Sequence, residues 1–251
     1  MTCLIPLRVA LSLVTGLAGA AQADTVAVAV ASNFTAPMQK IAAAFAKDTG
    51  HQAQLSFGAS GKLYAQISHG APFGVLLSGD DKAPAKIAAE GKGDASSRFT
   101  YAQGQLVLWS PQAGYVDPQG HILKKSGWTH LAIANPKLAP YGTAAEQTLA
   151  TLGVLAQVRP KLVQGENIGQ TYQFVATGNA QLGFVALSQV MANGQIPSGS
   201  AWVVPAAMHA PIRQDAIVLN SAKDNPAARA LVQYLQSDKA RSIIAGYGYS
   251  F

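Results

Sequence analysis

Two loops of the sequence combine hydroxyl side chains with the start of a predicted helix, a combination suited to binding an anion. The first loop, residues 31–33, ends an apolar strand and contains Ser32 and Asn33, and the second, residues 58–61, ends the next strand and contains Ser60. Helix N-termini carry unpaired N–H groups and a partial positive charge, and ligands of open α/β sheets lie beyond the carboxyl ends of the strands. We therefore predict that Ser32, Asn33 and Ser60 line an anion site, although each serine alone would also fit an ordinary helix cap.

Other features that resemble catalytic or metal-binding motifs lack an essential residue. Residues 58–62 place Lys62 where a nucleophile elbow needs glycine, and Leu63 stands where a phosphate-binding loop needs serine or threonine. The five histidines have no metal-ligand spacing, and Tyr247 and Tyr249 fit the packing of an aromatic terminus better than an iron site. With no nucleophile–base pair and no carboxylate pair at strand ends, we predict neither an enzyme nor a resident cofactor or metal.

Composition and charge limit the classes of protein to which this chain can belong. The chain has 251 residues, of which 49% are hydrophobic and 12% charged, so it can bury one large core or two modest ones and is not a disordered chain. The net charge is +6, but no run of Lys and Arg exceeds two residues. A nucleic-acid binder would cluster its cations, whereas a scattered positive charge attracts small anions at most.

The N-terminal segment has the order of features found in a secretory signal. Arg8 precedes an apolar run at residues 9–20, which is too short to span a bilayer, and residues 21–23 form a small-x-small cleavage site. We predict a signal peptide at residues 1–23 and export to the periplasm. A buried helix is the alternative for this segment. The only cysteine, Cys3, would leave with the signal.

Short apolar runs alternate with amphipathic helix patterns along the rest of the chain. Met38, Ile41 and Phe45 recur at helical spacing, and Asp80 and Asp81 are placed to cap a later helix. The predicted strands are residues 25–31, 52–57, 73–78, 105–109, 131–135, 182–186, 201–205 and 215–219. The predicted helices run from near residue 37 to 49, from 60 to 69, through 87, from a capping box at 143–146 to 152, from 167 to 177, and around 231 and 243.

This order of elements predicts two lobes. The first βαβαβα run favours a parallel, twisted sheet with helices on both faces, and the pattern restarts after about residue 98. We predict that residues 24–103 form the first part of lobe I, residues 104–213 form lobe II, and residues 214–251 return to lobe I. Two α/β lobes joined by two crossings hold ligand in the cleft between them and close by hinge motion.

An ordered set of short motifs resembles the periplasmic molybdate-binding proteins. The motifs are ASNFTAP at residues 31–37, SFGASG at 56–61, GAP at 70–72, NP at 135–136, PYG at 140–142, GENI at 165–168, LGFV at 182–185 and IAGYG at 244–248. Each motif alone is weakly specific, but together they cover nearly the whole chain after the predicted signal.

The resemblance implies a type II periplasmic binding protein fold and a binding component of an ABC importer for molybdate and usually tungstate. It implies a membrane permease as partner, and we expect a monomer. In the family, hydroxyl and N–H groups alone hold the oxyanion, with no direct ligand to the metal ion. Carried over, Ser32, Asn33 and Ser60 match the first-lobe loops, Tyr141 matches the loop before a second-lobe helix, and Ile168 would donate a backbone N–H.

Two positions depart from the family pattern, and one alternative ligand stays open. Ala186 stands where many members have a tyrosine, and Tyr141 stands where those members have a small residue. We therefore expect the tyrosine hydroxyl to come from the loop of Tyr141 and not from position 186. Gly74 replaces an acidic residue common in the family. A fully deprotonated dianion needs donors and no acceptor. Glu166 is close in sequence to Ile168, so the structure must show whether its carboxylate faces the site. Sulfate has the same charge and shape and is the alternative ligand, while an enzyme or a sensor domain on the same scaffold is the alternative class.

Overall fold

Short apolar runs form the strands of two sheets in the computed structural model, which describes residues 23–251. In chain order the strands are β1 (Thr25–Ala31), β2 (Gln52–Gly58), β3 (Val75–Leu77), β4 (Phe99–Gly104), β5 (Leu106–Ser110), β6 (Leu131–Ala134), β7 (Leu162–Gly165), β8 (Leu182–Ala186), β9 (Ser200–Val203) and β10 (Ile212–Val218). The helices are α1 (Thr35–Thr49), α2 (Ser60–Ser68), α3 (Lys82–Ala89), α4 (Pro140–Thr151), α5 (Leu155–Val158), α6 (Ile168–Ala176), α7 (Leu187–Val190), α8 (Pro226–Tyr234) and α9 (Asp238–Gly246). Apart from Ala23, the predicted signal peptide lies outside the described residues.

The first sheet has the strand order β2-β1-β3-β10-β4. Strands β1, β2 and β3 are parallel, and β10 pairs antiparallel with both β3 and β4. Alternation along β1 sends Val28 and Val30 into the core with α1, α8 and α9, whereas Ala29 faces the core with α2 and α3. Helices on both faces explain why this strand is apolar throughout. We call this sheet and its helices the first lobe.

The second sheet has the strand order β7-β6-β8-β5-β9. Strand β6 is parallel to β7 and β8, and β5 pairs antiparallel with β8 and β9. Leu108 and Phe184 contribute to a core with α4, and Val107 and Val185 contribute to the opposite core with α6 and α7. We call this sheet and its helices the second lobe.

The chain crosses between the sheets twice. Only Gln105 separates β4 of the first sheet from β5 of the second, and the chain returns between β9 and β10. The predicted two-lobed α/β architecture is confirmed, while the residue limits of the lobes stay a prediction. Among the helices of residues 23–251, none has both the length and the apolar character to cross a membrane.

Several predicted elements differ from the observed ones. Strands β4 and β7 were missed because both lie at sheet edges, where polar residues interrupt the apolar run. Strand β10 begins earlier, at Ile212, and β3 and β9 are shorter than predicted. The capping box at residues 143–146 is wrong, because α4 begins at Pro140, whose fixed φ suits a first turn. The Thr143 hydroxyl instead donates to the Pro136 carbonyl.

The sequence predicts that Asp80 and Asp81 both cap α3, but the two aspartates have different roles in the structure. Asp81 occupies the N-cap position, but its side chain caps nothing. The Asp80 carboxylate accepts from the Ala83 N–H at 2.8 Å and from the Ser78 hydroxyl at 3.1 Å. Asp80 alone therefore ties the first turn of α3 to the end of β3.

Candidate functional site

Ser32 and Asn33 lie in a buried 3-10 turn between β1 and α1. Neither Ser32 nor Ser60 is an N-cap, because those positions belong to Ala31, Phe34 and Ala59. The capping interpretation of the two serines is therefore wrong, and their hydroxyl groups are available for other contacts.

Each of these serine hydroxyls accepts a hydrogen bond from a backbone amide. The Ser60 Oγ accepts from the Gly79 N–H at 2.9 Å, and the Ser32 Oγ accepts from the Gly169 N–H at 3.3 Å. A hydroxyl that accepts keeps its own hydrogen for donation. Gly169 belongs to α6, so the Ser32 contact also joins the two lobes.

The second lobe supplies the starts of two helices. Tyr141 is the second residue of α4 and Ile168 is the first residue of α6. N–H groups in a first helical turn have no partner within the helix, so both residues present a backbone donor there. Asn167 caps α6 through its side-chain oxygen, which accepts from the Gln170 N–H at 3.0 Å. This cap holds the Ile168 and Gly169 amides in place.

These five residues surround one small cavity between the lobes. Ser32, Asn33, Ser60, Tyr141 and Ile168 all line it, together with residues 31, 58, 59, 139 and 140, and the volume that a water-sized molecule can reach inside it is about 10 Å³. That is about the space of one water molecule, so the cavity has room for a small ligand and none for a drug-sized organic one. None of its lining residues is acidic, and hydroxyl and amide donors reach it from both lobes.

The Tyr141 phenol is buried and neutral. Its Oη accepts from the Gln214 Nε2 at 3.1 Å, and the side chain is only 1% exposed. Burial, with a smaller effect of the nearby Tyr249, raises the pKa of Tyr141 well above 10. A role as a surface tyrosine with its hydroxyl in water is therefore excluded.

Comparison with known proteins identifies the family. The family model described as bacterial extracellular solute-binding protein matches residues 26–250. The chain belongs to this family. It is similar to the molybdate-binding protein of Azotobacter vinelandii, with 59% identity covering 93% of this chain and 92% of the relative. It is similar to that of Rhodobacter capsulatus, with 48% identity covering 96% and 94%. A solved structure of an Azotobacter vinelandii periplasmic molybdate-binding protein superposes with a TM-score of 0.87 at 42% identity, covering 90% and 99%.

These similarities confirm the two-lobed periplasmic binding protein fold for this solute-binding protein. The relatives carry names of binding components, not of enzymes.

Behind the cavity of the solute-binding protein lies a buried polar network that the sequence did not reveal. The Asn33 amide donates to the Gln214 Oε1 at 2.9 Å and to the Tyr249 Oη at 3.0 Å. Both amide hydrogens of Asn33 are thereby used, which leaves its backbone N–H as the donor toward the cavity. The Tyr249 hydroxyl lies 2.8 Å from the Asn33 carbonyl oxygen, and the Ser188 hydroxyl of α7 donates to the same oxygen at 2.8 Å. Tyr249 is therefore a polar anchor of the site loop as well as a packed aromatic.

At the rim of the cleft, Lys62 and Glu166 form an ion pair between the lobes. Their charged atoms are 2.6 Å apart, and both side chains are about half exposed. Glu166 is not among the residues that line the cavity. Nearby, the Gly61 N–H donates to the Leu138 carbonyl at 2.9 Å, which adds a backbone contact between the lobes.

Proposed function

We propose that this solute-binding protein captures molybdate, and also tungstate, for the membrane permease of an ABC importer. The observation that carries the proposal is the cavity that receives hydroxyl and amide donors from both lobes and no carboxylate. The names of the relatives support the same ligand. Export to the periplasm after cleavage before Asp24, and a monomeric state, belong to the same proposal.

The chemistry of the donors supports a fully deprotonated dianion. Oriented neutral dipoles can compensate such a charge without a counter-ion. A protonated phosphate would need an acceptor for its hydroxyl, and the cavity lining has no carboxylate to accept it. Sulfate offers the same charge and shape in a smaller ion, so cavity size must separate it from molybdate.

The test is isothermal titration of the exported protein, freed of anion, with molybdate, tungstate, sulfate and phosphate. We expect molybdate and tungstate to bind with micromolar affinity or better and the other two far more weakly. Equal affinity for sulfate would overturn the molybdate assignment and favour the alternative ligand. Absence of heat with all four anions would overturn an oxyanion receptor of either kind and favour a sensor or enzyme on this scaffold.

A further inference from the structure

We propose that Gln214 is a positioning residue of the anion site: it joins Asn33 of the first lobe and Tyr141 of the second in one hydrogen-bonded unit and so strengthens ligand binding. This inference rests on the proposed function, since it assumes that the cavity holds an oxyanion. Gln214 itself does not line the cavity. Its effect must therefore pass through the two lining residues that it contacts.

Gln214 lies on β10, is fully buried, and uses both ends of its amide. Its Oε1 accepts from the Asn33 Nδ2 at 2.9 Å and lies 3.0 Å from the Tyr101 hydroxyl, and its Nε2 donates to the Tyr141 Oη at 3.1 Å. The pairing of β10 with β4 is irregular here: Gln214 faces Ala102, while the next residue, Asp215, faces Thr100. Such a bulge re-aims the side chains beside it.

No other side chain of similar length combines an acceptor and a donor in this way. Leucine would fill similar space but leave an Asn33 amide hydrogen unpaired in a dry interior, and an unsatisfied buried donor is unfavourable. Asn33 would have to turn, or water would have to enter. Either change moves the loop that carries the Ser32 and Asn33 donors.

The contact of Gln214 with Tyr141 also couples the ligand to the closed cleft. Asn33 and Tyr141 come from different lobes, so the chain of bonds through Gln214 forms when the lobes are together. A ligand held by both lobes stabilises the same state. Removing the bonds lowers the fraction of molecules competent to hold the anion, and the apparent affinity falls with that fraction.

The experiment compares wild type with Gln214→Leu, and uses Ile217→Ala as the matched control. Ile217 lies on the same strand and is fully buried, but it packs in the apolar core of α2 and α3. The titrations use whichever of the four anions the wild type binds most tightly, and stopped-flow mixing gives the dissociation rate. We expect Gln214→Leu to weaken binding by about tenfold to a hundredfold, mainly through faster dissociation. Ile217→Ala should unfold more easily, yet bind within about twofold of wild type.

A double variant separates positioning from a general loss of structure. Tyr141→Phe already lacks the contact to Gln214, so the total loss of affinity in the double variant with Gln214→Leu should be smaller than the product of the two single losses. Independent, multiplying losses would overturn the inference. If Gln214→Leu does not fold, Gln214→Met, which keeps the length and the lack of charge but has neither the amide acceptor nor the amide donor, takes its place with the same expected loss.

The outcomes distinguish this inference from the proposed function. Preference of the wild type for sulfate overturns the molybdate assignment and leaves the Gln214 comparison valid on sulfate. Binding by Gln214→Leu within about twofold of wild type, or an equal loss in Ile217→Ala, overturns the role of Gln214 alone. If the wild type binds none of the four anions, both fall together.

Discussion

The hydroxyl groups of Ser32 and Ser60 lie at helix starts but do not cap the helices. Each accepts from a backbone amide, Gly169 and Gly79 respectively, and so keeps one hydrogen to donate. The type of residue and its place after a strand are the features from which both serines were predicted as site residues. The partners were not predictable, because a bond of Ser32 to a residue 137 positions away depends on how the lobes meet.

Ser60→Ala is expected to weaken molybdate binding by about tenfold to a hundredfold, because a hydrogen bond to a charged group contributes about 1.5–3 kcal/mol. The matched control is Ser68→Ala in the same helix, whose buried Oγ has no partner within the described residues. That variant should bind like wild type. Isothermal titration measures both, and equal losses in the two would contradict a direct role for the Ser60 hydroxyl.

Tyr141→Phe is expected to have a smaller effect than Ser60→Ala. From the sequence alone, the phenol was the expected second-lobe donor. In the structure the Tyr141 hydroxyl accepts from Gln214 and has a hydrogen-bond partner for its own hydrogen in Tyr249, and the backbone N–H at the start of α4 survives the substitution. A neutral hydrogen bond contributes about 0.5–1.5 kcal/mol, so a loss of about twofold to tenfold is expected in titration. A larger loss than that of Ser60→Ala would show that the phenol contacts the anion directly.

The buried phenols also predict how stability depends on pH. Burial raises the pKa of Tyr249 to about 12, and it raises the pKa of Tyr101 well above 10. In the unfolded chain these groups titrate near about pH 10. The folded state therefore binds more protons above that pH, and its stability falls as the pH rises from about 10 to about 12. Below about pH 10 these tyrosines should make no pH-dependent contribution.

Urea unfolding at about pH 8, 9.5 and 11 tests this sign, with Tyr249→Phe as the comparison. The variant should start less stable, because it loses contacts to Asn33 and Ser188. It should then lose less stability than wild type between about pH 9.5 and 11, because one raised pKa is gone. Parallel curves for the two proteins would show that Tyr249 does not contribute to the alkaline loss.

At the scale of elements, the sequence predicted the positions of strands and helices well wherever an apolar run or a helical period was strong. Strand β1 and helix α1 were placed correctly, and their junction holds Ser32 and Asn33. The edge strands β4 and β7 were missed because their polar residues face solvent in part. Strand β4 carries Tyr101, so missing that strand also hid one member of the buried network.

Gly142→Ala tests how closely α4 must approach β6 for the site to form. A Cβ at residue 142 would collide with the carbonyl oxygen of Ala134, a rigid backbone atom. The first turn of α4 would have to move away from the sheet, taking the Tyr141 N–H with it. We expect a loss of both stability, by about 1–3 kcal/mol, and molybdate affinity.

The control for Gly142→Ala is Gly246→Ala at the end of α9. A Cβ there would have no atom within 4 Å, and alanine favours a helix over glycine by up to about 1 kcal/mol. Thermal unfolding should show this variant to be as stable as wild type or slightly more so, with unchanged affinity. Wild-type affinity in Gly142→Ala would mean that the start of α4 is not part of the site.

At the scale of the whole molecule, the decisive contacts join residues far apart in the chain. Gln214 is 181 positions from Asn33, and Ser188 is 155 positions from it. Neither residue lies in a motif, and a buried glutamine on a strand has no local signal that predicts its partners. The lobes and the cavity followed from repeated local patterns, whereas the network behind the cavity depends on the final three-dimensional arrangement.

The contacts between the lobes predict closure on binding. Ser32 with Gly169 and Gly61 with Leu138 join the lobes beside the cavity, whose lining comes from both lobes, so neither half could surround an anion alone. Small-angle scattering should therefore give a smaller radius of gyration with molybdate than without it. An unchanged profile would indicate a cleft that is already closed in the absence of ligand.

The ion pair of Lys62 and Glu166 should slow release of the anion by a small factor. The two side chains are about half exposed, and such a pair contributes at most about 1 kcal/mol, or about fivefold in a rate. Lys62→Gln removes both the contact and a positive charge near the anion, so dissociation should speed up by about twofold to fivefold. Glu166→Gln should change the rate less, because losing the contact and losing a negative charge act in opposite directions.

Exchanging the two charges separates the contact from the electrostatic field. The double variant Lys62→Glu with Glu166→Lys keeps an ion pair between α2 and the loop before α6 and leaves the net charge unchanged. If the contact holds the lobes together, this variant should dissociate at close to the wild-type rate, and the difference between wild type and Lys62→Gln should shrink at about 1 M salt, where charges are screened within about 3 Å. Stopped-flow dissociation of molybdate measures all four proteins. If the exchanged pair releases the anion as fast as Lys62→Gln does, Lys62 acts through its charge on the ligand, and the ion pair does not hold the cleft closed.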